Sequence, residues 1–164
     1  WNAARFISTY NIIQDTNFDP TIVKQDQNKW ILGELDNLNM NVGQALDKFR
    51  FNDASAVIYS FTWHLFCDWY IEIIKDDMTQ SSVSSIETKQ TLIYTYLNLL
   101  KICHPFMPFV TEELNSIYKK GQELLVTSNW PSLVSNDAIQ SKSSIDFLID
   151  VITEIIYLKV ELQC

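Results

Sequence analysis

The sequence predicts an all-α protein, an up-and-down helical bundle of about five helices plus a C-terminal helix. Three observations carry that expectation. Glycine and proline are scarce, 3 and 4 in 164 residues, which disfavours a strand-and-turn chain. Apolar residues recur in steps of three and four through most of the length. The breaks between the periodic stretches are short to medium, as antiparallel helices require.

Trp1 to about Asn11 places Ala3, Phe6, Ile7 and Tyr10 at helical spacing and reads as the end of a helix that began upstream. Residues 14–25, with Asp15, Asn17, Asp19 and Pro20, form a polar connection. A long helix capped by Asp26 follows, with Ile31, Leu35, Leu38, Val42, Ala45 and Phe49 as its seam. Gly33 and Gly43 within it each cost roughly 1 kcal/mol relative to Ala, which points to close packing there. Asn52 and Asp53 then supply a cap and an acidic first turn. The apolar face continues through Ala54, Val57, Ile58, Phe61, Leu65, Trp69 and Ile73 to about Asp76.

Ser84 and Glu87 form a capping-box pattern before a helix lined by Ile86, Ile93, Leu97, Leu100 and Cys103. Pro105 ends that helix at His104, and Pro108 suits the first turn of the next, with Glu112 and Glu113 near its positive end. Phe106, Met107 and Phe109 make this corner apolar and predict a buried elbow. Val110, Leu114, Ile117 and Tyr118 continue one face to a stop at Gly121. Glu123 to Trp130 reads as extended, ended by Pro131. A last helix opened by Ser143, with Asp146 in the capping-box position, carries Ile145, Leu148, Ile152, Ile155 and Ile156. Residues 1–131 thus read as the helical domain, and 132–164 as a linker and C-terminal helix continuing into a further region.

With 47% hydrophobic and 20% charged residues, the chain suffices for one sizeable core. No apolar run approaches the ~20 residues that span a bilayer, and no signal peptide opens the chain. The first residue is Trp rather than Met, as in an excerpt from a longer protein. Three cysteines without close pairing fit a reducing, cytoplasmic setting. A net charge of -8 argues against gripping polyanions by charge alone.

Few residues invite chemistry. His64, Cys67 and Asp68 share one helix face, yet side chains along one helix point outward nearly in parallel, so a core cysteine with two polar neighbours is the simpler reading. His64 and His104 have no second His or Cys at a metal-ligand spacing. Asp76, Asp77, Glu112 and Glu113 read as helix-terminus charges, and no glycine-rich phosphate loop occurs. No catalytic residue is expected. Aromatics make up 13% of the chain, and Trp63 and Trp69 are expected in the core. Trp30 beside Lys29 is the best candidate for stacking an unpaired base. Lys119 and Lys120 are the only adjacent basic pair.

Four ordered segments carry a resemblance: Trp1-Asn2-Ala3-Ala4-Arg5-Phe6, Phe66-Cys67-Asp68-Trp69-Tyr70-Ile71-Glu72, His104-Pro105-Phe106-Met107-Pro108-Phe109-Val110-Thr111-Glu112-Glu113-Leu114, and Trp130-Pro131. Together they resemble the helical anticodon-binding domain that follows the catalytic domain in valyl-tRNA synthetases. The segment around His104, Pro105, Pro108 and Glu112 is shared with the isoleucyl and leucyl enzymes, while Cys67, Asp68, Trp69 and Tyr70 point to the valyl branch. Two features depart from the pattern. Asn115 stands where Trp is common, and the tail from Ile152 to Leu162 lacks the arginines expected there.

The resemblance implies a parent that attaches valine to tRNA with ATP and Mg2+ and hydrolyses mischarged tRNA. This chain would hold the anticodon stem-loop without a cofactor of its own. Asn2, Arg5, Lys29 and Trp30 are the residues expected to touch tRNA. Expected partners are tRNA and the catalytic and editing domains of the parent chain, with no membrane, in a cytoplasmic monomer. The same domain from an isoleucyl or leucyl enzyme is one alternative. A non-enzymatic helical bundle that docks a protein partner is another.

Overall fold

In the computed structural model the chain is described over residues 1–118, 124–132 and 139–162, the side chains of 139–143 excepted. Every regular element among the described residues is helical, as predicted. Helix α1 (Asn2–Thr9) buries Ala4 and Ile7. The chain turns out of it through Asn11, which takes a positive φ of 48°, a conformation that Asn tolerates better than most residues. A 3-10 turn at Pro20–Ile22 is set by Asp19, whose carboxylate accepts hydrogen bonds from the backbone N–H and the hydroxyl of Thr21 at 2.8 and 2.7 Å.

Helix α2 (Asp26–Asp47) is the central rod. Ile31, Leu35, Leu38, Val42 and Ala45 are buried as the seam predicts. Phe49 is not. The helix ends at Asp47, and Phe49 turns the corner at a φ of 55° with its ring in solvent. Gln25 is the residue before the first turn, so Asp26 is the first helical residue rather than the cap. At Gly43 an added Cβ would meet nothing within 4 Å, so the close packing expected of this glycine is not found.

Helix α3 (Phe51–Ser60) starts after Arg50, which pairs with Asp53, and Asn52 lies inside the first turn rather than capping it. The rod then widens into a π-helical stretch, Phe61–Tyr70, and closes with α4 (Ile71–Ile73) and α5 (Lys75–Thr79). A π turn takes more residues than an α turn. The predicted series of Phe61, Leu65, Trp69 and Ile73 is therefore replaced at the centre of the core by Phe61, Phe66, Tyr70, Ile74 and Met78, all buried. Leu65, Trp69 and Ile73 flank that core half-buried. Trp63, expected in the core, is 54% exposed and stacks on Tyr59.

Helix α6 (Val83–Cys103) is capped by Ser82, whose Oγ accepts the Ser85 N–H at 3.2 Å, so the predicted Ser84 and Glu87 box does not form. Ile86 is exposed, while Ile93, Leu97, Leu100 and Cys103 are buried. Glu87 instead reaches across to the start of α2. Its carboxylate accepts from the backbone N–H groups of Lys24 and Gln25 at 3.1 and 3.0 Å and from Asn28 Nδ2 at 3.0 Å. Asn28 is fully buried, and its Oδ1 accepts the Tyr70 hydroxyl at 2.9 Å. This network joins α2, the π-helical stretch and α6.

The two prolines mark the corner as predicted, since α6 ends at Cys103 and α7 (Pro108–Tyr118) opens on Pro108. The corner is nevertheless open to solvent. Phe109 is 91% exposed, and Met107 and Val110 are exposed with it. The inner face of α7 is Thr111, Leu114 and Asn115, with Tyr118 half-buried behind them, one step out of register with the predicted Val110 and Ile117. His104 holds the corner through a 2.8 Å hydrogen bond between Nδ1 and Thr111 Oγ1.

Glu112 lies beyond the first turn of α7. Both its oxygens accept the Leu125 N–H, at 3.1 and 3.0 Å, which fixes a 3-10 turn at Leu125–Thr127 within the stretch predicted to be extended. The predicted stop at Gly121, the Lys119 and Lys120 pair, Glu123 and Cys164 lie outside the described residues. Asn39 on α2 accepts from Trp130 Nε1 and donates to the Pro131 carbonyl at 2.7 Å.

Helix α8 (Ile139–Glu161) begins before Ser143, which is therefore not its cap. Asp146 accepts from Trp30 Nε1 at 3.0 Å, and Ile145 is buried with it. The first half of α8 thus packs on α2. Leu148, Ile155 and Ile156, predicted as its apolar face, are exposed. No helix among the described residues is long and apolar enough to cross a membrane.

Candidate nucleic-acid interface

The four residues expected to touch tRNA separate into two groups. Asn2 and Arg5 lie one turn apart on the exposed side of α1. Arg5 is the only charged residue of that helix, so α1 itself offers a polyanion a cation and no carboxylate. Lys29 is half-buried on α2. Trp30 is the correction. It is 1% exposed, and its indole N–H is committed to Asp146, so neither of its ring faces is open to a base. Its sequence position beside Lys29 suggested a surface, yet it lies on the inner side of α2 next to Ile31.

Beyond α1 the chain forms one wall of an open cleft of about 660 Å³. Ser8, residues 11–14 and Thr16 line this wall, and Ile117 and Tyr118 of α7 face them. The sequence places Ser8 and Asn11 at the end of a helix and Gln14 and Thr16 in a polar connection, and gives no sign of the cleft between them.

The cleft is held from both sides. Tyr118 donates its hydroxyl to the Ala4 carbonyl at 2.9 Å, tying α7 to α1. Gln90 on α6 accepts from the Asp15 N–H at 2.8 Å and donates to the Ile13 carbonyl at 3.0 Å, gripping the loop on either side of Gln14. The nearest loop carboxylate, Asp15, accepts from the Asn17 N–H at 2.9 Å and does not line the cleft.

On the π-helical stretch His64 and Asp68 are exposed and Cys67 is half-buried. His64 Nδ1 is 3.6 Å from Asp68 in an exposed pair, and burial together with the Asp68 charge pushes the Cys67 thiol up, away from a reactive thiolate. Asp77 accepts from Gln27 Nε2 at 3.2 Å and Thr88 Oγ1 at 3.4 Å.

Comparison with known sequences decides the family. The profile of the family described as the anticodon-binding domain of tRNA ligase matches residues 28–164. The chain belongs to this family. It is also similar to the valine–tRNA ligase of Nitrobacter winogradskyi, 37% identical over 133 residues, which is 80% of this chain and 14% of the relative. The valine–tRNA ligase of Caulobacter vibrioides is 34% identical over 170 residues, 99% of this chain and 19% of the relative. That of Agrobacterium fabrum is 37% identical over 160 residues, 94% of this chain and 17% of the relative. The chain thus spans less than a fifth of the length of these relatives.

Family membership gives the sequence motifs a structural meaning. In this anticodon-binding domain Tyr70 satisfies buried Asn28 and His104 holds the elbow. Glu112 fixes the turn after α7, and Trp130 and Pro131 seal onto Asn39. The motifs are a framework, and the open surface of α1 and its loop lies outside them, apart from Asn2 and Arg5.

Proposed function

We propose that this chain is the part of a valine–tRNA ligase that binds the anticodon stem-loop of its tRNA. The observation that carries the reading is the match to the anticodon-binding domain family over residues 28–164. The valine–tRNA ligase relatives supply the amino acid. The parent would attach valine to tRNA with ATP and Mg2+ and hydrolyse mischarged tRNA, working as a cytoplasmic monomer. ATP and Mg2+ would be held by other parts of that parent.

On this chain Asn2 and Arg5 present the contact turn, and Arg5 supplies a phosphate contact. Lys29 contributes a further cation at the edge of α2. With a net charge of -8, the grip is weak and local, and affinity falls as salt rises. The test is a titration of the chain at low salt with a valine-type anticodon stem-loop and with the same stem carrying a scrambled loop. Tighter binding of the valine loop is expected. Arg5→Ala should weaken both RNAs alike and lower the slope of log affinity against log salt by about 1. Equal binding of the two loops by the native chain would contradict the reading.

A further inference from the structure

We propose that the cleft between the α1 exit loop and α7 is a receptor for one unstacked nucleobase, whose edge is read by the carboxamides of Asn11 and Gln14. The inference rests on the functional reading above and adds a binding site to it. The chemistry of the lining selects the ligand class. None of the cleft residues is charged, so it does not suit a phosphate, a carboxylate or an ammonium group. Ile12, Ile117 and Tyr118 offer apolar surface, and Asn11, Gln14 and Thr16 offer hydrogen-bonding groups. A flat apolar face with polar edges is what a nucleobase presents. A carboxamide carries a donor and an acceptor side by side, which matches a base edge.

These groups are available for a ligand. The side chains of Asn11, Gln14 and Thr16 make no hydrogen bond to another described residue, whereas their backbone is fixed. Gln90 holds the residues on both sides of Gln14. Asn11 sits at a φ of 48°, with its N–H donating to the Ser8 carbonyl at 3.2 Å. Ser8 lies one turn after Arg5 on α1, and its hydroxyl donates to the Arg5 carbonyl at 2.8 Å. A nucleotide with its base in the cleft would therefore have a cation within about one helical turn, ~5 Å, for its phosphate.

The experiment uses the chain with valine-type anticodon stem-loops that carry an abasic residue at each anticodon position in turn. For the native chain, one abasic position should weaken binding by about tenfold, the size of one good base-edge contact. Asn11→Gly keeps the left-handed turn while removing the amide, and Gln14→Ala removes the other. Each should weaken binding of the intact loop and abolish the penalty at that one abasic position, with an unchanged melting temperature. Failure of the native chain to bind any stem-loop would overturn the functional reading and the cleft with it. Binding that both variants leave unaltered, with the abasic penalty intact, would overturn the cleft alone.

Discussion

Tyr70 places a hydroxyl where α2, the π-helical stretch and α6 meet, and donates it to Asn28 Oδ1. Asn28 passes the connection to Glu87 and Thr88, and Glu87 satisfies two backbone N–H groups at the entrance to α2. A buried acceptor that loses its donor keeps its desolvation penalty. Tyr70→Phe should therefore destabilise the chain by about 1–3 kcal/mol, read from the shift in urea midpoint at constant slope. An unchanged midpoint would show that Asn28 finds another donor.

The same burial sets the alkaline limit of the fold. Burial pushes the hydroxyl of Tyr118 up to about 12, and that of Tyr70 well above the ordinary 10.0 with Asp77 and Glu87 adding to the rise. The Cys103 thiol is likewise pushed up to about 12 from 9.0 by burial. The folded state keeps these protons where the unfolded chain releases them, so their contribution is complete below pH 9 to 10 and is lost as pH rises towards 12. An ultraviolet titration of the native chain should show a delayed group of tyrosines including Tyr70, Tyr96 and Tyr118, whose ionisation coincides with unfolding. Simultaneous ionisation of all 7 tyrosines near their ordinary value would contradict this.

Among the elements, the stretch from Phe61 to Tyr70 departs most from an ideal helix. The step from Phe61 to Phe66 places both rings inside, their centroids 6.3 Å apart, a spacing that an α-helix would not align. Deleting exposed His64 should convert this stretch towards α-helix and keep Phe61, Phe66 and Tyr70 on one side. That variant should still unfold cooperatively. Deleting exposed Asn41 from α2 should rotate Val42 and Ala45 out of the core and abolish a cooperative melt. If the His64 deletion fails as completely as the Asn41 deletion, the π-helical account of the register is wrong.

This element also shows what could be read from sequence and what could not. Helix identity and most boundaries followed from periodicity and the two prolines, and the α2 seam held from Ile31 to Ala45. The α-helical period cannot anticipate a π stretch, so the outward turn of Trp63 and the inward turn of Phe66 and Tyr70 were missed. Caps failed where a distant group did the work. Glu87 looked like a local box and serves the start of α2 across 62 residues of sequence. Trp30 failed for a related reason. Its partner, Asp146, lies 116 residues away, so its burial was invisible locally. The exposure of Asn2 and Arg5 follows from the two-sided pattern of α1, with Ala4 and Ile7 inside. The cleft along Asn11 to Thr16 was not legible, because Gln90 and Tyr118, which hold it, are distant in sequence.

At the scale of the whole molecule, an acidic bundle is asked to hold an acidic ligand. In the proposed function the two are reconciled by locality. The buried network of Tyr70, Asn28 and Glu87 ties α2, the π-helical stretch and α6 together, while α1 exposes Arg5 as its one charged residue beside a cleft lined by uncharged side chains. Hydrogen exchange on the chain alone and saturated with a valine-type anticodon stem-loop tests this division most directly. The account predicts new protection in the residues of α1 and the loop to Thr16, with the exposed second half of α8 unchanged. Protection confined to α8 or to the exposed elbow around Phe109, with α1 and its loop unaffected, would contradict it.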